Sequence, residues 1–423
     1  MISKNLEKIK RLARKDFILN FFSLTIFQAI ELLIPLITIP IIISKVGAEK
    51  FGLISFAIVF SFLFQLFVDF GFNTISTRDI SLNKKDFKKV SQIFNETLNS
   101  KIILSLICCC FFLSIILFFD KFNSDIEIYI YTFISFILQS LIPFWFFQGL
   151  QKSKYITISS FIGRFIYLLL ILLFLKSEKN YLLVPIFNAI GFLISFIITF
   201  TIINKKFKIK FTTICLEEFK NQLKKGRFMF LSELKLYFIS YFNVLLLGFI
   251  FGNIAVAYFV GAEKIIKAIS NMFTPIQNSL LPILAINLNQ NKKATFRLIN
   301  KTLPVALFVL CVFSFFLFHF SENIIVFILG AEMRNSIIVF KILSFVPLFT
   351  FLDSFLGKQI LLNLKKEKQI FKVILIVALV NIPIILYFIN NYSYIGAAIA
   401  QLTALFSVVV GFFYYYYKIL KEK

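Results

Sequence analysis

Residues 1–52 read MISKNLEKIKRLARKDFILNFFSLTIFQAIELLIPLITIPIIISKVGAEKFG. Six bases, Lys4, Lys8, Lys10, Arg11, Arg14 and Lys15, precede an apolar run from Phe17 to Ser44, and Lys45 and Lys50 follow before the chain turns apolar again. A continuous apolar run of this length predicts a membrane-crossing helix, because a hydrocarbon core about 30 Å thick takes ~20 residues at about 1.5 Å each. A barrel strand would need only about ten residues of alternating polarity. The run is too long for the apolar core of a cleaved signal and shows no small-residue cleavage site, so it is read as the first span. Short loops rich in Lys and Arg stay in the cytoplasm, so this span starts inside.

The same grammar continues to the end of the chain. Apolar segments fall near residues 17–44, 51–77, 101–119, 126–149, 155–175, 180–204, 228–251, 254–286, 302–320, 336–361, 371–389 and 393–417. Of 45 Lys and Arg, 33 lie in every second gap, counting the N-terminal arm and the tail; six lie in the intervening gaps and six inside the spans. This bias predicts a multi-pass protein with both termini cytoplasmic. The 59% hydrophobic content and mean hydropathy of +0.88 exceed what a soluble domain can cover with polar surface. The net charge of +24 does not signal nucleic acid, because its bases are cut into short runs beside apolar spans rather than gathered on a folded basic domain. Anionic lipid headgroups are the expected partners of those runs.

The longest basic gap divides the chain into residues 1–204, a linker at 205–227 and residues 228–423, with six spans on either side. That predicts an all-α integral membrane protein of about 12 transmembrane helices in two pseudo-symmetric six-helix lobes. An even number of spans per half makes the repeats parallel, with a binding cavity expected between them. The turn Lys45-Val-Gly47-Ala-Glu49-Lys-Phe-Gly52 has a weak counterpart in Phe251-Gly252-Asn-Ile-Ala-Val-Ala-Tyr258. Two segments read as amphipathic helices on an anionic surface or else as solvated loops: Leu6, Ile9 and Ala13 among the N-terminal bases, and Leu216, Phe219 and Leu223 in the linker. All nine prolines fall in the spans, where each is a candidate kink.

Inside the spans stand Arg164, Lys235, Lys264, Lys267, Lys341 and Lys358 with Glu31, Asp69, Glu233, Glu263 and Asp353. At about 3 kcal/mol per charge at a helix centre, eleven of them facing lipid would cost on the order of 30 kcal/mol, so they are expected to face water, one another or a charged substrate. Glu263, Lys264 and Lys267 share neighbouring helical faces and leave one positive charge uncompensated. A pyrophosphate or an acidic sugar would complement it, with Arg164 and Lys235 as further cations; the alternative is an internal salt-bridge network. Glu31, Asp69, Glu263 and Asp353 are the candidates for ion coupling. With Arg164 as the one intramembrane base of the first half, either Glu31 or Asp69 is expected to lack a permanent partner and so to exchange protons, unless Gln28 or Gln65 hydrogen-bonds it. A single histidine, His319, and the absence of Cys pairs at metal spacing leave no metal site, cofactor or catalytic triad to expect.

Several stretches resemble the polysaccharide exporters of the multidrug/oligosaccharidyl-lipid/polysaccharide (MOP) superfamily, especially the Wzx-type O-antigen flippases. They are Pro40 with Lys45-Val-Gly47-Ala-Glu49-Lys-Phe-Gly52, Asp69-Phe-Gly71-Phe with Thr77-Arg78-Asp79-Ile80, and Pro143-Phe-Trp145-Phe-Phe-Gln148-Gly149 through Lys154-Tyr. In the second half Leu247-Gly248, Val256-Ala-Tyr258 and Ala262-Glu-Lys264-Ile are similar too. The resemblance implies a MATE-like fold and a non-enzymatic flippase in the bacterial inner (plasma) membrane. Its substrate would be an undecaprenyl-pyrophosphate-linked glycan, moved by alternating access, with other polysaccharide-assembly membrane proteins as partners. Asn243 stands where the resemblance leads one to expect an acid, so no coupling residue carries over into span 7. The competing readings are an organic-cation antiporter of the same superfamily, which would want an acidic cavity, and a membrane-embedded polysaccharide polymerase, which would want a large external loop.

Overall fold

The structure is a computed structural model describing residues 2–421 except 275–276, 278–279, 281–283, 285–286 and 288–289; side chains are described from Phe22 onward, apart from residues 235–236 and 239–240. Among the described residues every regular element is helical. Eight stretches are long and apolar enough to cross a membrane. Two of these hold two spans apiece. Helix α1 (Ile2–Asp69) is broken at Gly47 (φ 78°, ψ 168°), and the last helix, α15 (Glu367–Lys421), at Ser393 (φ 50°, ψ −128°). The remaining two spans are α8 (Leu216–Ser240) with α9 (Phe242–Phe251), and α10 (Asn253–Asn271), which carry intramembrane charges. The chain is thus an all-α integral membrane protein with about twelve transmembrane helices.

It divides into two compact units, residues 1–45 with 57–234, and residues 46–56 with 235–423. In the first unit α2 (Phe72–Leu82), α3 (Phe87–Phe118), α4 (Ile126–Leu141), α5 (Phe144–Gly149), α6 (Lys154–Phe174) and α7 (Leu183–Phe207) follow α1. Aromatic rings fill its core: Phe112 stacks on Phe133 at 4.2 Å between ring centres, and Phe60 on Phe122 at 5.0 Å. A second cluster gathers Phe94, Trp145, Phe146 and Ile203. Helices α6 and α7 approach closely at Gly163 and Gly191, where a Cβ on Gly163 would collide with the Gly191 carbonyl and Ser195 Oγ.

After α7 the chain runs without regular structure from residue 208 to 215. Polar side chains on α3 hold it there. Asn95 donates to the Lys210 carbonyl (3.1 Å) and accepts from the Thr212 amide (2.9 Å), while Asn99 donates to the Thr212 carbonyl (2.8 Å). Helix α8 then docks through Gln222, whose amide donates to Glu96 at 2.5 Å, and through Gly226 against the Phe70 carbonyl. The linker's helical segment therefore forms, but its buried positions are Gln222 and Gly226, with Phe230 buried just beyond it; Phe219 and Leu223 are half-buried and Leu216 is exposed. The backbone of residues 2–21 is helical, whereas the side chains of the N-terminal amphipathic segment lie outside the described residues.

In the second unit, α11 (Lys292–His319), α12 (Ser321–Leu329), α13 (Ser336–Leu343), α14 (Val346–Ser354) and a π-helical stretch (Phe355–Leu362) lie between α10 and α15. The turn at residues 46–56 packs here. A Cβ on Gly52 would collide with the Asn253 carbonyl, Phe56 covers Gly248, and the Ala48 amide donates to Glu332 at 3.1 Å. The Gly248-x-x-x-Gly252 pair is thereby split by role: Gly248 makes room for Phe56, and Gly252 supplies a backbone angle (φ 82°) with nothing within 4 Å of its Cβ direction.

Of the nine prolines, Pro35, Pro40, Pro304 and Pro383 lie inside helices, and the breaks in α1 and α15 fall at Gly47 and Ser393 instead. Pro143 stands at the break before α5, and Pro185 and Pro347 occupy first turns, where a missing N–H costs nothing. Pro275 and Pro282 lie outside the described residues.

Candidate functional site

Within the first unit a chamber of about 420 Å³ opens among α1, α2, α4, α5, α6 and α7. Its walls are mixed: the charged Glu31, Asp69 and Arg164, side-chain amides such as Gln65 and Asn188, and rings such as Trp145. A polar chamber inside an apolar bundle is costly unless its groups are matched, and two ion pairs match most of the charge.

Arg164, midway along α6, meets Glu31 fork to fork. Nη2 donates to Oε2 at 2.6 Å and Nε to Oε1 at 3.1 Å, while Nη1 donates to Asn188 Oδ1 at 3.0 Å. The face of the guanidinium lies 4.6 Å from the centre of the Phe192 ring. Asn188 is fixed in turn by donating to Ser135 Oγ at 2.9 Å. The planar fork suits a carboxylate in a way that a lysine cannot reproduce.

The second pair is Asp69 with Lys101 at 2.8 Å. Lys101 is 1% exposed and spends all three ammonium protons, the other two on Asn73 Oδ1 (2.7 Å) and the Ser140 carbonyl (2.8 Å). The chain brings Asp69 and Asn73 to one lysine by ending α1 at Asp69 and restarting after Phe70 (φ 41°) and Gly71 (φ 72°). Gly71 is needed there because Met229 and Phe230 of α8 leave no room for a Cβ. The charges of both Asp69 and Lys101 act on Glu233 of α8.

This arrangement corrects the expectation that Glu31 or Asp69 lacks a partner. The charge ladder places Lys101 in a cytoplasmic gap because it sits at the start of an apolar run. Yet α3 begins at Phe87, fourteen residues earlier, so Lys101 is already about 21 Å along the helix. The signal available in the sequence is the polar, barely charged stretch Ser91–Ser100, which belongs to a helix rather than to a loop.

In the second unit Glu263 accepts from Lys267 Nζ at 2.8 Å and from Gln401 Nε2 at 3.1 Å, and Lys267 stands 4.6 Å from the Tyr241 ring centre. Lys264 is exposed, whereas Glu263 is buried and meets the half-buried Lys267 in a balanced pair. Asp353 is half-buried on α14 under the field of Lys358. The Lys235 side chain lies outside the described residues. Asn243 is fully buried and donates to the Ala397 carbonyl at 3.4 Å, filling a packing position on α9.

Three polar atoms of the chamber wall in the first unit have no hydrogen-bond partner among the described residues: Gln65 Oε1, Ser140 Oγ and Trp145 Nε1. None of the three was singled out as a site residue from sequence. In the sequence Trp145 stands within the Pro143–Tyr155 stretch that carries the resemblance, and Gln65 enters only as a possible hydrogen-bond partner of Glu31 or Asp69.

A family model described as "Polysaccharide biosynthesis protein" matches residues 17–288. The chain belongs to this family. Two relatives extend the likeness over nearly its whole length. The chain is 28% identical over 384 residues, 90% of itself and 92% of the relative, to a protein of Escherichia coli (strain K12) named "Putative O-antigen transporter". It is 26% identical over 394 residues, 92% of itself and 97% of the relative, to one of the same name from Shigella dysenteriae. Among solved structures, an inward-facing multidrug resistance MATE family transporter of the MOP superfamily superposes with a TM-score of 0.72 at 12% identity, covering 94% of this chain and 98% of that one. The lipid II flippase MurJ in an inward closed conformation gives 0.66 at 18% identity, covering 94% and 87%. At such identities the structural likeness speaks for the fold alone, which this chain shares with both transporters.

Proposed function

We propose that this member of the polysaccharide biosynthesis protein family is a flippase that carries an undecaprenyl-pyrophosphate-linked oligosaccharide, an O-antigen or capsule repeat unit, across the bacterial plasma membrane by alternating access. The observation that carries the reading is the chamber of about 420 Å³ lined by amides, ion pairs and rings within a polytopic member of that family. The substrate is moved and not covalently changed, with both termini cytoplasmic and the basic gaps resting against anionic headgroups. Membrane proteins that build and polymerise the glycan are its working partners.

Arg164 and Lys267 are the cations assigned to the substrate, with Lys264 and Lys235 as further candidates. Because Arg164 and Lys267 already hold Glu31 and Glu263, an anionic group of the substrate competes with a carboxylate for each. A carboxylate so displaced is left without its partner inside the membrane, which is the route by which Glu31 or Glu263 couples translocation to an ion gradient. Asp69, tied to Lys101, and Asp353, near Lys358, complete the ionisable set. Paired acids suit a glycan carrier better than a pump for organic cations, which needs unneutralised carboxylates.

Deleting the gene from its host is expected to remove the surface glycan and to build up lipid-linked repeat units whose sugars a membrane-impermeant oxidant reaches only after lysis. Arg164→Gln, at normal membrane abundance, fails to restore the glycan. An unchanged surface glycan in the deletion strain, or newly acquired sensitivity to organic cations in its place, overturns the reading.

A further inference from the structure

We infer that the wall formed by Gln65, Ser140 and Trp145 is a subsite for an uncharged pyranose ring of the substrate, separate in chemistry from any anion-binding group. The inference rests on the flippase reading and names what the first unit's chamber recognises.

Three observations converge on it. First, the chamber is electrically balanced, since Arg164 is met by Glu31 and Asp69 by Lys101. An anion reaches Arg164 only by displacing Glu31, whereas an uncharged ring meets the wall of Gln65, Ser140 and Trp145 without disturbing either pair. Second, the lining complements sugar hydroxyls and acetamido groups, combining amides at Gln65, Gln139 and Gln148 with the indole of Trp145. Amides donate and accept at once, as hydroxyls do, and an aromatic face matches the C–H face of a ring. Third, Gln65, Ser140 and Trp145 are 7%, 3% and 2% exposed, and their Oε1, Oγ and Nε1 meet no partner among the described residues. A polar atom already stripped of water and left unpaired costs about 1–3 kcal/mol, and it returns that cost to any group that completes the bond. An acceptor at Gln65, a donor at Trp145 and a hydroxyl at Ser140 that does both fit a hydroxyl-bearing ligand, which supplies both kinds of partner.

The neighbours of the triad are already committed. The Ser140 carbonyl is taken by Lys101, and the Trp145 carbonyl accepts from Thr77 at 3.3 Å, so backbone movement is restrained and the side-chain atoms alone are left to answer a ligand. All three atoms are closed to water in this conformation. A sugar that reaches them must therefore be admitted by a shift of the chamber wall, so binding and conformational change are the same event here.

Trp145 is the single tryptophan of the chain, which makes the subsite self-reporting. The purified full-length protein in nanodiscs is titrated with the repeat-unit oligosaccharide released from the host's own surface glycan, freed of lipid and phosphate, and separately with inorganic pyrophosphate. The expected result is a saturable change in indole fluorescence with the neutral oligosaccharide and none with pyrophosphate. Gln65→Leu and Ser140→Ala should weaken that response at least tenfold, while the thermal midpoint stays equal to wild type or rises, since each removes an unpaired buried polar atom. No saturable response to the oligosaccharide, or an equal response to pyrophosphate, or full affinity in Gln65→Leu, overturns the subsite. The deletion phenotype described above is scored in parallel, so a silent titration beside a clear build-up of lipid-linked units sinks the subsite alone.

Discussion

Lys101 is bound to three acceptors at 2.7–2.8 Å and is 1% exposed, so it works as an interior strut of the first unit. Breaking a buried pair from one side leaves a bare charge and costs about 3–5 kcal/mol, whereas removing both partners is far milder. Lys101→Met is therefore expected to lower the thermal midpoint sharply in detergent, and the double variant Lys101→Met with Asp69→Leu to recover most of the loss; a double variant no better than the single would remove the pair from the account. At this scale the sequence was half legible. Arg164, Glu31, Asp69, Glu263 and Lys267 were recognisable because a charge inside an apolar run has to face something. Their pairing was not, because Glu31 and Arg164 are 133 residues apart and Lys101 looked like a loop base. The unpaired atoms of Gln65, Ser140 and Trp145 were invisible, since nothing in a residue's identity says that its neighbours leave it without a partner.

At the scale of elements, one turn is used three times. Gly47, Gly252 and Gly330 share φ 78–89° with ψ near 180°, a region essentially reserved for glycine. The likeness of the first two was readable in the sequence. Gly330-Ala331-Glu332, which repeats Gly47-Ala48-Glu49, went unread because hydropathy alone treats it as one more gap. Gly252→Ala and Gly330→Ala are each expected to cost about 1–3 kcal/mol through backbone strain, since no atom lies within 4 Å of the added methyl. Gly163→Ala acts by a different route, pushing α6 from α7 where the backbones touch. Thermal unfolding distinguishes the two: a nearby cavity-creating Ser195→Ala should partly rescue Gly163→Ala and do nothing for Gly252→Ala. Span number and order were legible because hydropathy sets them. The break of residues 336–362 into two α-helices and a π-helical stretch was not, because it depends on distant partners such as the Gln359 amide donating to the Gln277 carbonyl at 2.9 Å.

Across the molecule, the charge ladder and the two-unit division describe the same chain at different resolutions. The ladder sets which gaps face which side, while the compact units follow packing, so α8 up to Leu234 belongs with the first unit although the sequence marks a boundary at residues 205–227. The linker is pinned and not slack, because Asn95 and Asn99 occupy the backbone of residues 210–212. Lys208 and Lys210 are already exposed, so freeing the backbone with Asn95→Ala and Asn99→Ala should let trypsin cleave there in inverted membrane vesicles at least several-fold faster than in wild type. Equal cleavage rates would show that the asparagines do not restrain the segment.

The turn at residues 46–56 lies early in the chain but packs with the second unit, where Gly52 rests on the Asn253 carbonyl and Phe56 on Gly248. Inheritance by halves is therefore obstructed. A recombination that joined the front of one relative to the back of another at the linker would separate eleven residues from the surface they were selected against. Gene exchange among such carriers, the quickest way to trade one glycan specificity for another, must carry this short turn along with the distal half or else accept a misfit where two backbones meet without side chains to absorb it.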